Sequence, residues 1–469
     1  MIDKDVLERT LSSALQNGGD FAEVFAEDRV NSSARLEDGR IEELTSGRDR
    51  GAGIRVIVGR DSGEPVTGYA HTTDLSEDGL RAAAEVAASA ARGGGGVSNV
   101  SLQRRSVTPG PVGVRPEDVA KADKVALLRR GESAARAGGS SIKQVMVSVA
   151  NNRRRILVAN SDGLLAEDDA TRTRFMVQCV ATGDTGMQTG HEIVSATKGW
   201  ELFDERSPES IGEEAARRAL LKLAARPAPS GSLPVVIAAG IGGVLFHEAC
   251  GHGLEADLVD KDASVFAGRM GQQVASPLVT LVDDGTPLGE WGHLAIDDEG
   301  HPSMRNVLIE DGVLTDYMWD HLRAGKHGRA PSGNGRRQTY RHLPMVRMTN
   351  TYLLAGEGDP DDLIASTPRG VYVKQLTGGQ VNTATGDFVF GMGESYLIED
   401  GRITEPLRES NLIGNGPDVL RTIDAVAGDL EMAGGGGMCG KDGQSVPVGV
   451  GQPTLRVPAM TIGGTSHDF

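Results

Sequence analysis

Cysteine is scarce in this chain of 469 residues: Cys179, Cys250 and Cys439 are the whole supply. Three thiols at irregular spacing make no disulfide framework, and they suit the reducing cytoplasm. Aromatic residues amount to only 4%, which leaves few platforms on which nucleic-acid bases could stack. Basic residues are outnumbered, 48 Lys and Arg against 65 Asp and Glu, for a net charge of −17. So acidic a surface repels phosphate backbones and anionic lipid, so neither nucleic acid nor membrane is an expected direct partner. Long apolar runs are missing too. The longest, "LPVVIAAGIGGVLF" from Leu233, holds 14 residues, three of them glycine, and is too short to span a bilayer. The first residues, "MIDKDVLERT", carry charge where a signal peptide needs an apolar core.

What is present is glycine, 64 residues of it, and 39% apolar residues, enough for packed cores. The length suits two or three domains. Apolar spacing predicts a helix over 3–17. Strand-like segments follow in "DFAEVFAEDRV", "SSARLEDGRIEEL", "GAGIRVIVG" and "EPVTGYAHT". "SEDGLRAAAEVAASAA" reads as a second helix with Ser76 as its N-cap. "RGGGGVSN" and the proline-rich "VTPGPVGVRP" then form a linker. The layout repeats weakly, with a helix near 116–137, strands through "KQVMVSVANN", "RILVANSDG" and "TRTRFMVQCVAT", and a helix over 210–225. "RPAPSGSLP" breaks the chain near 230. Residues 1–228 are therefore read as an N-terminal α/β region with modules at 1–95 and 112–228, and residues 229–469 as a second domain. In that second part short strands alternate with Asp-Gly turns in "VDDGTP", "IEDGVL" and "IEDGRI". The fold class is α+β: N-terminal helix–sheet–helix modules followed by an antiparallel β-rich C-terminal domain, which carries the one helix with evident chemistry.

That helix contains "LFHEACGH", Leu245 to His252. The zinc-peptidase signature H-E-x-x-H places its histidines four residues apart, about 40° around a helix, where they share an ion. Here three residues separate Glu248 from His252. His247 and His252 are five apart, about 140° around a regular helix, too wide to share a metal. A π-bulge or a broken last turn would bring His252 round, and Gly251 and Gly253 offer backbone that leaves helical geometry readily. Glu248 is placed to act as a base toward metal-activated water; its plain alternative is an exposed helix glutamate. A catalytic zinc needs a third protein ligand and an open fourth position. Cys250, Glu255 and Asp257 are near in sequence. Cys250 is equally a small apolar filler, and Glu255 and Asp257 are equally acceptors for the histidine N–H groups. Cys439 is the remote candidate, set among glycines in "AGGGGMCGKDGQ", with Lys441 close enough to favour its thiolate.

Together, "HEACGHGLEAD", "SGNGRRQTYRHLPMVRMTNTY", "GGQVNTATGDFVF", "GESYLIEDG" and "CGKDGQSVPVGVGQPTLRV" resemble the TldD/TldE (PmbA) peptidase family, from about residue 230 to the C-terminus and more diffusely before it. The resemblance implies a zinc metallopeptidase with His247, His252 and Cys439 as ligands and Glu248 as base, and the sequence departs from the pattern at none of the four. It also implies a heterodimer with a TldE/PmbA-like paralogue that lacks the ligands, enclosing a chamber. Unfolded peptides would enter that chamber for leader removal or for degradation of small proteins such as antitoxins. A homodimer is the alternative assembly. The donor-rich loop "GNGRRQTYRH" places Asn334, Arg336, Arg337, Tyr340 and His342 as candidates for binding substrate, against the alternative of a structural arginine-rich turn. Two other classes stay open: a non-catalytic chamber subunit, which should lack the four residues, and a protein with a structural zinc, which should have a closed shell.

Overall fold

The computed structural model describes residues 1–60, 65–91, 99–408 and 410–466. The glycine-rich half of the predicted linker, 92–98, lies outside them. The first helix, Lys4–Leu15, is capped by Asp3, whose carboxylate accepts the Asp5 N–H at 2.9 Å. The helix Glu77–Ala90 begins as expected at Ser76, whose Oγ accepts the Gly79 N–H at 3.2 Å. Between them run β1 (Phe21–Glu37), β2 (Arg40–Val58) and β3 (Val66–Thr72). Asp38 and Gly39 turn β1 into β2 with φ of +46° and +82°, the two positive angles that a type I′ hairpin needs.

After the short β4 (Gln103–Arg104) come the helix Lys121–Arg136, then β5 (Ile142–Asn160), β6 (Leu164–Gly183) and β7 (Gly186–Ala196), then the helix Pro208–Ala224. β5 pairs with β1, so both predicted modules build one seven-stranded sheet in the order β3-β2-β1-β5-β6-β4, with β7 on β6. Strand alternation divides its faces. Phe175, Val177 and Cys179 of β6 pack with Leu127, Leu128, Ile211 and Ala215 of the helices. The opposite face carries Arg29, Arg154 and Arg172, whose side chains reach Gln338, Asp298 and Trp291 in the other half of the molecule.

The C-terminal half is β-rich, as its Asp-Gly turns suggest. Asp311-Gly312 and Asp400-Gly401 adopt the paired positive φ, and so does Asp442-Gly443. Asp284-Gly285 of "VDDGTP" does not, because Asp284 is a buried strand end whose carboxylate accepts the Thr286 N–H. Two sheets result. One runs from Arg369–Val381 through Gly231–Ile237 and Leu455–Ile462 to Asn411–Asn415 and Asp387–Glu399. The other joins Leu281–Asp284, Asn350–Leu353 and Gln444–Gln452. Pairing is mostly antiparallel, but Asn350–Leu353 lies parallel to Gln444–Gln452, and Arg369–Val381 lies parallel to Gly231–Ile237. A shared core that includes Phe246, Leu254, Met348, Phe390 and Leu455 fills the space between the sheets. The "LFHEACGH" segment crosses that core.

Candidate metal centre

The motif segment is helical, but hardly any of it is α-helix. Ile241–Gly243 is 3₁₀, Val244–Phe246 is α, His247–Gly251 is π, and His252–Leu254 is 3₁₀ again. In the π turn the His252 N–H bonds the His247 carbonyl, an i→i+5 bond that widens the helix by one residue. The five-residue spacing thus becomes one face. The glycines contribute differently from expectation. Gly251 keeps ordinary right-handed angles, φ −52° and ψ −52°, so no backbone freedom is being used there. What matters is its missing side chain: a Cβ would stand 2.3 Å from Met348 Sδ, and one on Gly253 would stand 2.7 Å from the Phe266 ring. The turn is pressed into the core, and only glycine fits under Met348.

Cys439 arrives on a separate hairpin, Gly437–Lys441 paired with Gln444–Gln452. Its glycine-rich surroundings suggest an exposed thiol, yet Cys439 is 6% exposed and packs with the C-terminal core. The neighbours that make it reactive are the histidines. His247 Nε2 and His252 Nε2 each lie 3.2 Å from Cys439 Sγ. Burial pushes the thiol up, and the two imidazoles more than offset it, bringing Cys439 down to about 4. Lys441 is occupied elsewhere: its Nζ donates to Glu255 Oε2 at 2.9 Å and to Asp257 Oδ1 at 2.6 Å. Glu255 is fully buried and also accepts from His252 Nδ1 at 3.1 Å, which leaves Nε2 of that ring turned to Cys439. Glu255 and Asp257 are thus supports behind the cluster, and neither joins it. Cys250 is a core thiol whose Sγ donates to the Phe246 carbonyl at 3.1 Å, and burial pushes it up.

The chemistry of this donor set fits a zinc ion. Two imidazole nitrogens and a thiolate sulfur, all within 4.8 Å of one another, are soft to borderline ligands. With Zn–N near 2.1 Å and Zn–S near 2.3 Å, a tetrahedral site has N···S edges of roughly 3.5 Å; the two found are 3.2 Å. Three donors leave one corner. Glu248 stands beside these donors, its Oε2 3.9 Å from His252 Nε2 and its side chain 21% exposed, against 10% for His252. His247 Nδ1 is buried without a hydrogen-bond partner among the described residues, so only its Nε2 is engaged, and that with the cluster.

The loop proposed to grip substrate is used largely inside the chain. Asn334 is fully buried and donates to Asp283 Oδ2 at 2.7 Å and to the Arg347 carbonyl at 3.0 Å. Arg336 bonds the carbonyls of Met348 and Pro447. Arg337 meets Glu23 and the Asp298 carbonyl, and the Tyr340 hydroxyl donates to Asp49 Oδ1 at 3.1 Å. His342 bonds the Thr339 hydroxyl through Nδ1 at 2.8 Å. This loop ties the N-terminal sheet to the C-terminal half. One positioning residue escapes a reading of the sequence: Arg347, fully buried, whose guanidinium holds the Cys439 and Gln444 carbonyls. It lies between the strands Met345–Val346 and Asn350–Leu353, and nothing local in the sequence marks it.

A cleft of about 670 Å³ is lined by, among others, Val244, three residues before His247, and Gly434–Gly437, just before Cys439; His247, Glu248, His252 and Cys439 are not among its lining residues. Lys374–Gly378 form part of its wall. There the pairing of Arg369–Val381 with Asp387–Glu399 slips from Leu376↔Met392 to Gly379↔Phe390, and Thr377 and Gly378 have no cross-strand partner in that ladder.

Comparison with known proteins follows the same lines. Residues 22–91, 114–223 and 230–464 match the first, central and C-terminal domains of the family described as PmbA/TldA metallopeptidase. The metalloprotease TldD homolog of Haemophilus influenzae is 41% identical over 95% of this chain and 93% of its own length. A metalloprotease of Methanothermobacter thermautotrophicus is 35% identical over 99% of this chain and 100% of its own. The fold is shared with TldE from Thermococcus kodakarensis, at a TM-score of 0.74 and 21% identity over 98% of this chain and 99% of that one. The class these matches define is metallopeptidase. Within it, the chain belongs to the PmbA/TldD family.

Proposed function

We propose that this chain is a zinc-dependent peptidase of the H-E-x-x-x-H type that cleaves unfolded peptides or small proteins in the cytoplasm. The observation that supports the reading is the π turn at His247–Gly251, which brings His247 and His252 together with Cys439, with Glu248 3.9 Å from His252. His247 Nε2, His252 Nε2 and Cys439 Sγ would hold the ion. Bound there, it supplies Lewis acidity toward water and toward a peptide carbonyl. Glu248 takes a proton from the attacking water on its carboxylate and returns it to the departing amine. Glu255 fixes the His252 ring through Nδ1, and Arg347 fixes the hairpin through the Cys439 carbonyl. The register break at Thr377 and Gly378 and the glycine run at 434–437, both in the cleft wall, suit an extended peptide read by its main chain, the form in which leader segments and unfolded small proteins present themselves.

A peptidase of broad reach needs enclosure. We assign that enclosure to a heterodimer with a TldE/PmbA-like paralogue that lacks the ligands; the likeness in fold to a TldE supports a matching partner shape, and a homodimer is the competing assembly. The test is metal content and turnover of the purified chain, alone and with the paralogue. Cys439→Ser should lose most of the bound zinc while Cys250→Ser keeps it. A flexible peptide should be cut only when both subunits are present. Full zinc in Cys439→Ser would remove Cys439 from the ligand set, and full turnover without the paralogue would leave the homodimer.

A further inference from the structure

Beside the Cys439 hairpin lies a second cavity, about 220 Å³, between the N-terminal sheet and the C-terminal half. Five arginines line it, Arg29, Arg154, Arg172, Arg336 and Arg337, with Asp298 the one carboxylate among the lining residues. Sheet register puts three of them together. Arg29 is directly across from Arg154, and Arg172 lies opposite Asn152, two residues along the same face. Like charges so placed repel, and for two of the three the fold supplies counter-charge. Arg29 and Arg154 both bond Glu27, and Arg154 also bonds Asp298 at 2.7 Å. Arg337 is paired with Glu23.

Arg172 and Arg336 are treated differently. Arg172, 4% exposed, donates only to the carbonyls of Trp291 and His293; Arg336, 2% exposed, only to those of Met348 and Pro447. Among the described residues neither makes an ion pair. Asp168, Asp283 and Asp298 are near enough to be felt, but none touches either guanidinium. Donors are also left over: Nε of Arg29, Arg336 and Arg337 and Nη1 of Arg337 are buried without partners. An arginine does not shed its proton in a protein, so two buried positive charges stand without an ion-pair partner among the described residues, around a space that holds several waters at roughly 30 Å³ each. Met438, half exposed, stands at its rim, and the Gly434–Gly437 segment just before it walls the larger cleft.

We propose that this cavity is an anion site that takes a small oxyanion, a carboxylate or a phosphate, between Arg172 and Arg336. The group comes from one of two sources: the acidic side chain or C-terminus of a peptide lying in the neighbouring cleft, or a free anion. The planar forks of two guanidinium groups match either oxyanion. Phosphate binding needs no turnover, so this test stands apart from the peptidase reading. Inorganic phosphate is titrated into the full chain at constant ionic strength, followed by thermal melting and calorimetry. Wild type should melt higher as phosphate rises. Arg172→Gln and Arg336→Gln should each bind phosphate ~10-fold or more weakly, the loss of a charged hydrogen-bond donor. Two variants guard against one that fails to fold. No response in wild type, or an equal response in a folded variant, overturns the site. Cleavage by the complete assembly then separates the sources. If phosphate competes with a peptide bearing Asp but not with its Asn counterpart, and Arg172→Gln erases the difference, the peptide supplies the anion. If phosphate binds with no effect on either peptide, the site serves a free oxyanion.

Discussion

Around His252 every buried charge faces an opposite one. Glu255 lies between His252 and Lys441, and Lys441 reaches on to Asp257. Around Arg172 and Arg336, in the cavity beside the Cys439 hairpin, the two buried guanidinium groups donate only to carbonyls among the described residues. The two clusters are alike in burial and opposite in balance. A balanced network is complete as it stands: desolvation of each ion is offset by its partners, and the geometry is fixed before any substrate arrives. An unbalanced one is unfavourable until something else enters. The first arrangement suits residues that orient a metal ligand. The second suits a pocket that waits for a charged group.

The sharpest test of the balanced region asks whether its chemistry resides in one side chain. Glu248 is the half-open carboxylate of the set and touches none of the supports. Glu248→Gln keeps shape and leaves His247, His252 and Cys439 in place. Zinc content should be unchanged while peptide cleavage falls by ~10²- to 10⁴-fold, the usual worth of a positioned acid–base group. Turnover near wild type would take Glu248 out of the mechanism.

Next in size is the support network. Lys441→Met removes the only cation paired with Asp257 among the described residues and one of two partners of Glu255, both of them buried. An uncompensated buried carboxylate is costly, so the variant should lose ~3–5 kcal/mol of stability in denaturant melts. A loss below about 1 kcal/mol would show that the network is slack and does not fix His252.

How much of this was legible in the sequence divides along the same boundary. The H-E-x-x-x-H spacing forces a distortion, because two histidines five apart cannot share an ion on a regular helix, and the π turn is that distortion. The helix at Glu77–Ala90 was legible because Ser76 marks its start by local chemistry, whereas "SSARLEDGRIEEL", read as one strand, is the hairpin end of β1 and β2, turned at Asp38-Gly39. Tertiary contacts were not. Nothing local says that Gly251 is small for the sake of Met348, that Cys439 is buried despite its glycines, or that Arg347 holds the Cys439 carbonyl from 92 residues away. The donors of "GNGRRQTYRH" look free in sequence because their acceptors, Glu23, Asp49 and Asp283, belong to strands and turns far off in the chain.

A smaller effect tests whether Gly251 acts through space or through backbone. Its angles are ordinary, so Ala at 251 carries no conformational strain, only the 2.3 Å approach of its Cβ to Met348 Sδ. Gly251→Ala should cost ~1–3 kcal/mol, as overpacking does, and should weaken zinc binding as the turn shifts. Met348→Ala in the same chain should restore part of the binding. If it restores none, backbone and not packing is what the glycine provides.

The smallest expected effect comes from the unbalanced cluster, and its sign is what matters. Arg172→Met removes a buried charge that has no carboxylate in contact and takes a donor from two carbonyls: that of Trp291, which keeps the Thr197 hydroxyl at 3.3 Å, and that of His293, which is left with none among the described residues. The first change favours the fold and the second opposes it. Loss of each carbonyl bond costs about 1 kcal/mol, and relief of an unpaired buried cation is worth about as much or more. The two nearly cancel, so stability in phosphate-free buffer should stay within ~1 kcal/mol of wild type. Arg154→Met is the contrast on the neighbouring strand: it strips Glu27 and Asp298 of a shared buried partner and should cost ~3–5 kcal/mol. Equal, large losses in both variants would mean that Arg172 is compensated after all, by Asp168 and Asp298 acting at a distance, and the distinction between the two clusters would fall.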